Sequence, residues 1–149
     1  MKILFLHGLE SSPQSTKATF LRGKGHDVIA PELDRDDWAQ SVLAARQAIA
    51  LHNPDVVVGS SRGGAVAMAA RPHAPMVLVA PAWIKYAPWA TISGRTTILH
   101  SVEDDIVPFE HSEKLSNMYG AKLVEVGMSH RMSDFDALEA ILHACEVNA

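Results

Sequence analysis

Six short apolar runs, each continuous rather than alternating, punctuate the chain at residues 3–6, 28–30, 56–58, 76–80, 97–100 and 123–126. A strand with one wet face alternates apolar and polar residues. An unbroken run needs cover on both faces, which suits parallel strands sandwiched between helix layers. Helical patterns fill the gaps. Trp38, Val42, Ala45 and Ile49 recur at helical spacing after the acidic start Asp34-Arg35-Asp36-Asp37, which reads as a cap and first turn. A stretch rich in Ala and Gly runs from Ser61 and stops by Pro72. Residues 110–119 and 133–147 complete the set, the last with Phe135, Leu138, Ile141 and Leu142 on one face. Strand and helix alternate throughout, so the expected class is α/β with right-handed crossovers, in one domain over residues 1–149.

At 149 residues the chain can bury a sizeable core. Net charge is −4, and Lys and Arg are scattered, which excludes a phosphate-backbone or anionic-membrane footprint. Neither a nucleic-acid nor a membrane partner is expected. Cys145 is the only cysteine, so no internal disulfide can form and a reducing compartment is expected. Its place in the last helical pattern fits packing rather than chemistry. The apolar run at residues 3–6 is too short for a signal-peptide core, so a cytoplasmic location is expected.

Gly59-Ser60-Ser61-Arg62-Gly63 follows the apolar run at residues 56–58 and precedes the Ala-rich helix. A G-x-S-x-G pentapeptide between a buried strand and a helix is the pattern of a nucleophile elbow. The sharp turn lifts the serine above the sheet, and the flanking glycines let strand and helix pass closely. The plain alternative is a tight turn before an ordinary helix. A serine hydroxyl is a poor nucleophile near neutral pH and needs a histidine to take its proton and a carboxylate to orient that histidine. Ser60 lies one residue too early. The acid falls among Glu103, Asp104 and Asp105; the spacing D-x-x-V-P favours Asp104, with Asp105 as the alternative. The base falls in Gly127-Met128-Ser129-His130, after the last strand, which singles out His130 among eight histidines. His7 and His100 end strands and are read as supporting residues. Two backbone N–H groups must meet the oxyanion. Arg62 follows the serine at a helix N-terminus, and Leu9 lies in the loop after the first strand. A cation at a helix N-terminus is mildly unfavourable. The Arg62 side chain is therefore expected to fold back to a carboxylate, an anionic substrate being the alternative.

The opening His7-Gly8-Leu9-Glu10-Ser11-Ser12-Pro13-Gln14-Ser15-Thr16-Lys17, the elbow, the E-D-D-I-V-P loop and G-M-S-H together resemble the α/β-hydrolase superfamily, in particular its short, cap-less bacterial serine esterases. The resemblance implies a three-layer fold around a mainly parallel six-stranded sheet that lacks the superfamily's first two strands. It also implies Ser61 as nucleophile, Asp104 as acid, His130 as base, and Leu9 and Arg62 as oxyanion donors. Many members carry a lid where this chain has only residues 81–95. Trp83, Tyr86 and Trp89 there either line an acyl pocket or pack beneath a surface loop. The expected activity is a carboxylesterase on a small-molecule acyl substrate, without metal or organic cofactor. A thioesterase or amidase would use the same groups. A hydrolase-like domain that binds a protein partner with an idle triad is the non-enzymatic reading. An ordinary histidine titrates near about 6.5, so a histidine base predicts kcat/KM rising with pH through about 6–8. A flat profile from about pH 5 to 8, with chemistry rate-limiting, contradicts it.

Overall fold

The computed structural model describes residues 1–149. Each apolar run is a strand: β1 (Lys2–Leu6), β2 (Asp27–Ile29), β3 (Val56–Ser60), β4 (Met76–Val79), β5 (Thr96–His100) and β6 (Lys122–Glu125). The sheet order is β2-β1-β3-β4-β5-β6, and every neighbouring pair is parallel. Helices α1 (Thr16–Gly23), α2 (Trp38–His52), α3 (Arg62–Ala70), α4 (Trp83–Tyr86), α5 (Phe109–Tyr119) and α6 (Phe135–Asn148) connect them.

The continuous runs are explained by two cores, one on each face of the sheet. Leu4, Leu6, Val57, Met76, Leu78 and Ile98 point toward α2, α3 and α5. Ile3, Phe5, Val56, Val58, Val77, Val79 and Leu99 point toward α1 and α6. Successive strand residues face opposite layers, and both layers exclude water.

Local chemistry sets the helix ends. Asp37 Oδ1 accepts from Gln40 N–H at 3.1 Å and starts α2, while Asn53 in the left-handed region stops it. Asp134 Oδ2 accepts from Ala137 N–H at 3.2 Å, so α6 starts at Phe135 rather than Ser133. Phe135 then lies in the first turn, 69% exposed, off the buried stripe that Leu138 and Ile141 share. Its expected core face is thus corrected. Helix α1 was not legible in the sequence, because only Ala18 and Leu21 of its eight residues are buried. Ser15 Oγ caps it by accepting from Ala18 N–H at 3.2 Å.

No helix is long and apolar enough to cross a membrane. Cys145 is fully buried in α6; burial, then the charge of Glu146, pushes its thiol up to about 12. A thiol so placed is inert packing.

The close approach of α3 to the sheet yields a stability prediction. A Cβ at Gly63 would collide with the Leu6 carbonyl oxygen, whereas one at Gly94 would meet nothing within 4 Å. Gly63→Ala is expected to cost about 1–3 kcal/mol or more by chemical denaturation. Gly94→Ala should stay within about 0.5 kcal/mol. Equal effects would show that the contact at Gly63 can relax.

Candidate active site

Ser61 joins β3 to α3 with φ 55° and ψ −117°. Such a backbone in a residue other than glycine costs about 1–3 kcal/mol and persists only where its surroundings fix it. Here Ser61 N–H donates to the Val79 carbonyl at 2.9 Å, and the Ser61 carbonyl accepts from Gly64 and Ala82 N–H, each at 3.0 Å. A Cβ on Gly59 would lie 2.5 Å from the Gly63 carbonyl oxygen. The glycines of the pentapeptide are therefore what lets β3, α3 and β1 converge under Ser61. Ser60, the last residue of β3, is buried.

Three residues distant in sequence meet above this turn. Ser61 Oγ is 2.9 Å from His130 Nε2, and His130 Nδ1 is 2.6 Å from Asp104 Oδ2. The tautomer that fits an ionised Asp104 donates Nδ1–H to the carboxylate and leaves the Nε2 lone pair for the Ser61 O–H. Asp104 Oδ1 accepts from Ile106 and Val107 N–H, both at 2.8 Å. Burial alone would raise the Asp104 carboxyl. Hydrogen bonds from His130, Val107 and Ile106, with the attraction of His130, outweigh it and hold the group below its ordinary value. Asp105, the alternative acid, is exposed, and His130 Nδ1 pairs with Asp104 instead.

The loop that carries His130 is tied on several sides. Lys17 Nζ donates to the Arg131 carbonyl at 2.6 Å, Ser101 Oγ to the Gly127 carbonyl at 2.9 Å, and Met128 N–H to Asp134 Oδ1 at 3.1 Å. Met132 anchors the loop in the core, fully buried. Desolvation, then repulsion by Arg131, lowers Lys17 to about 8. Ser101 and Asp134 carry no motif, and only the tertiary structure reveals their part. Lys17 stood in the opening motif without an assigned role.

Of the two expected N–H donors, Arg62 follows Ser61 directly, and Leu9 belongs to the loop that lies against it. Arg62 is the first residue of α3, where N–H groups have no acceptor within the helix. A Cβ at Gly8 would stand 3.5 Å from Ser61 Cβ, which puts the β1 loop directly against the serine. Leu9 N–H donates to no other backbone group. His7 sets its direction. Leu33 N–H donates to His7 Nε2 at 2.9 Å, so Nδ1–H donates to the Gly8 carbonyl at 2.8 Å. In a planar trans peptide, holding that carbonyl also aims the Leu9 N–H the opposite way.

One expectation about a side chain needs correction, and one open choice is resolved. Arg62 finds no carboxylate. Its guanidinium lies 5.6 Å from the ring centres of both Trp38 and Tyr86 and donates to the Asp34 carbonyl at 3.0 Å. The aromatic faces and a carbonyl satisfy the cation where the helix end would not. Of the two readings left open for Trp83, Tyr86 and Trp89, packing describes the first two. Trp83 is 3% exposed, with its indole N–H donating to the His111 carbonyl at 2.9 Å, and Tyr86 stacks on Trp38 at 5.6 Å. Only Trp89, 67% exposed, presents its ring to solvent. Trp83 belongs to the core that α2 and α3 cover. An open crevice of about 470 Å³ lies along the β1 loop, lined by His7, Leu9, Ser11, Ser12, Glu32 and Arg35 among others.

These placements make two predictions. Trp83→Ala should cost about 3–5 kcal/mol, and Trp89→Ala no more than about 0.5 kcal/mol, by denaturant melts. Comparable losses would contradict their placement. The second concerns acid. Burial lowers His100 below its ordinary 6.5, against contributions from Asp104 and Val107, and Asp104 lies below its ordinary 3.8. Both lowered values mean the folded state binds fewer protons than the unfolded chain. Stability is then fully present above the ordinary values and falls as pH drops through them toward the folded ones. The Tm should fall on acidification below 6.5, and His100→Gln and Asp104→Asn should each flatten that fall. A Tm profile with the wild-type slope in both variants would contradict it.

The architecture has many counterparts among solved structures. A Xanthomonas campestris pv. campestris protein, proposed as a hydrolase of the alpha/beta superfamily, matches at TM-score 0.74 and 22% identity, over 98% of this chain and 96% of that one. The ydeN gene product of B. subtilis matches at 0.78 and 15%, over 99% and 97%. Est1E from Butyrivibrio proteoclasticus matches at 0.80 and 14%, over 99% and 87%. The fold is therefore that of the α/β hydrolases. No curated protein matches the sequence. A family profile matches residues 2–97, a span that takes in the Leu9 loop and Ser61 and stops before Asp104. The chain belongs to the uncharacterised protein family UPF0227.

Proposed function

We propose that the protein is a serine hydrolase, a carboxylesterase for short acyl esters that works through an acyl-enzyme. The observation that carries this reading is the unbroken line from Ser61 Oγ through His130 to Asp104, at 2.9 and 2.6 Å. Names of structural neighbours, a hydrolase and an esterase domain among them, support hydrolysis.

In this mechanism Ser61 Oγ attacks the acyl carbon while His130 Nε2 takes its proton. Asp104 holds the ring and stabilises the imidazolium that forms. Leu9 and Arg62 N–H meet the charge on the tetrahedral oxygen, each worth about 2.7–4 kcal/mol of barrier. His130 then protonates the leaving alcohol. Water, deprotonated by the same ring, releases the acid and restores Ser61. The same steps would serve a thioester or an amide.

The size of the acyl group follows from the surroundings. Residues 81–95 hold only the single turn α4, and the crevice beside Leu9 is open and mostly polar. Each buried CH₂ contributes about 0.8 kcal/mol, so a deep apolar tunnel would reward each added carbon about fourfold. Here the gain should stop within about two to six carbons, when the chain reaches water. A cytoplasmic setting accords with a single cysteine.

Ser61→Ala should reduce hydrolysis of p-nitrophenyl acetate to background with the fold intact, while Ser60→Ala keeps substantial activity. Asp104→Asn should lower kcat by about 10⁴-fold and Asp105→Asn far less. A Ser61→Ala enzyme at the wild-type rate would end the assignment. So would a kcat/KM that climbs steadily from C4 to C12 end the short-acyl reading.

A further inference from the structure

Asp104 Oδ2 accepts from two histidines. His130 Nδ1 approaches it at 2.6 Å from the side of Ser61, and His100 Nε2 at 2.9 Å from the side of the protein interior. His100 ends β5 and is fully buried. Its Nε2 also lies 3.0 Å from the Val107 carbonyl, and its Nδ1 2.6 Å from Ser112 Oγ on α5. These partners leave one consistent arrangement. A carboxylate and a carbonyl can only accept, so Nε2 carries the proton and donates to both. Nδ1 then has a lone pair and accepts from the Ser112 hydroxyl.

We infer that His100, locked by Ser112 in the Nε2–H form, is a positioning residue that holds Asp104 for His130. The line Ser112–His100–Asp104–His130–Ser61 is then one hydrogen-bonded unit. This inference rests on the serine-hydrolase reading for its effect on rate, though its geometry is independent of the reaction.

Two physical consequences follow. Asp104 receives four N–H donors: Ile106 and Val107 on Oδ1, His130 and His100 on Oδ2. That fills the usual capacity of a carboxylate and fixes its plane. The donor from His100 also draws charge away from the lone pairs that face His130, making Asp104 a weaker attractor of a proton on that ring. A second imidazolium here would repel the one His130 must become. His100 is kept neutral, because burial of the ring outweighs the attraction of Asp104. The titratable groups that face the ring are Asp104 and, beyond it, His130; α5 presents only Ser112 and the edge-on ring of Phe109, 5.6 Å away. The sequence offered His100 only as a strand-ending histidine four residues before Asp104.

The test compares wild type with His100→Leu, His100→Gln and Ser112→Ala. Two readouts are taken: the pH profile of kcat/KM for p-nitrophenyl acetate, and the NMR titration of the His130 ring. His100→Leu removes the donor. It should lower kcat/KM about tenfold or more and move the His130 midpoint upward. Gln carries an acceptor and a donor on one planar amide, and should restore kcat/KM to within about threefold and return the midpoint. Ser112→Ala frees the His100 tautomer and should move the midpoint the same way by less. If His100→Leu fails to fold, Ser112→Ala and His100→Gln carry the comparison. Unchanged midpoints in the folded donor-loss variants overturn the inference. So does a midpoint shift that His100→Gln leaves uncorrected. A shifted midpoint in a protein without esterase activity would uphold the positioning and overturn the hydrolase reading instead.

Discussion

The contact between the backbones of α3, β3 and β1 governs the rest of the structure. Gly59 and Gly63 leave no room for a side chain: a Cβ on either would run into carbonyl oxygens of Gly63 or Leu6. Because these segments touch, the chain must reverse between Ser60 and Arg62 within one residue, and Ser61 takes the strain. That strain is held by backbone hydrogen bonds to Val79, Gly64 and Ala82 rather than by side chains. The same contact sets the N-terminus of α3 beside the β1 loop, next to Ser61. One steric fact thus links core packing to site geometry.

Electrostatics at the other end of the site rests on a single carboxylate. The Asp104 side chain is buried, yet its ionised form is favoured because hydrogen bonds and the nearby His130 outweigh desolvation. Burial without those donors would have raised it and removed the partner that His130 needs. Two loops therefore have to be rigid at once. The acid loop is fixed by its own turn, in which Asp104 caps Ile106 and Val107, and the histidine loop by Lys17, Ser101, Asp134 and the buried Met132.

Periodicity alone made the layered α/β fold legible, since continuous apolar runs admit few other solutions. The parallel sheet and four of its helices, α2, α3, α5 and α6, lie where those patterns fall, while α1 escaped because two buried residues leave no readable stripe. Ser61, Asp104 and His130 were legible because each follows a strand and carries a local spacing. The structure brings these three within hydrogen-bond reach. Interactions set by tertiary geometry were not legible. Nothing in the sequence says that Trp83 turns to the His111 carbonyl, that Arg62 lies against Trp38 and Tyr86, or that His100 shares an oxygen with His130. An aromatic triplet in a short connection reads equally as pocket or as packing. Only burial, 3% for Trp83 against 67% for Trp89, separates the two.

The central claim is that the Ser61 hydroxyl is chemically activated, and reaction with a fluorophosphonate tests it most directly. Such probes form a covalent bond with a serine whose proton an adjacent base can take, and leave ordinary serines untouched. Intact-mass analysis should show one adduct per chain, and peptide mapping should put it on Ser61. The adduct should vanish in Ser61→Ala and slow sharply in Asp104→Asn. A folded wild-type protein that stays unlabelled, or carries its adduct on another residue, would contradict the account.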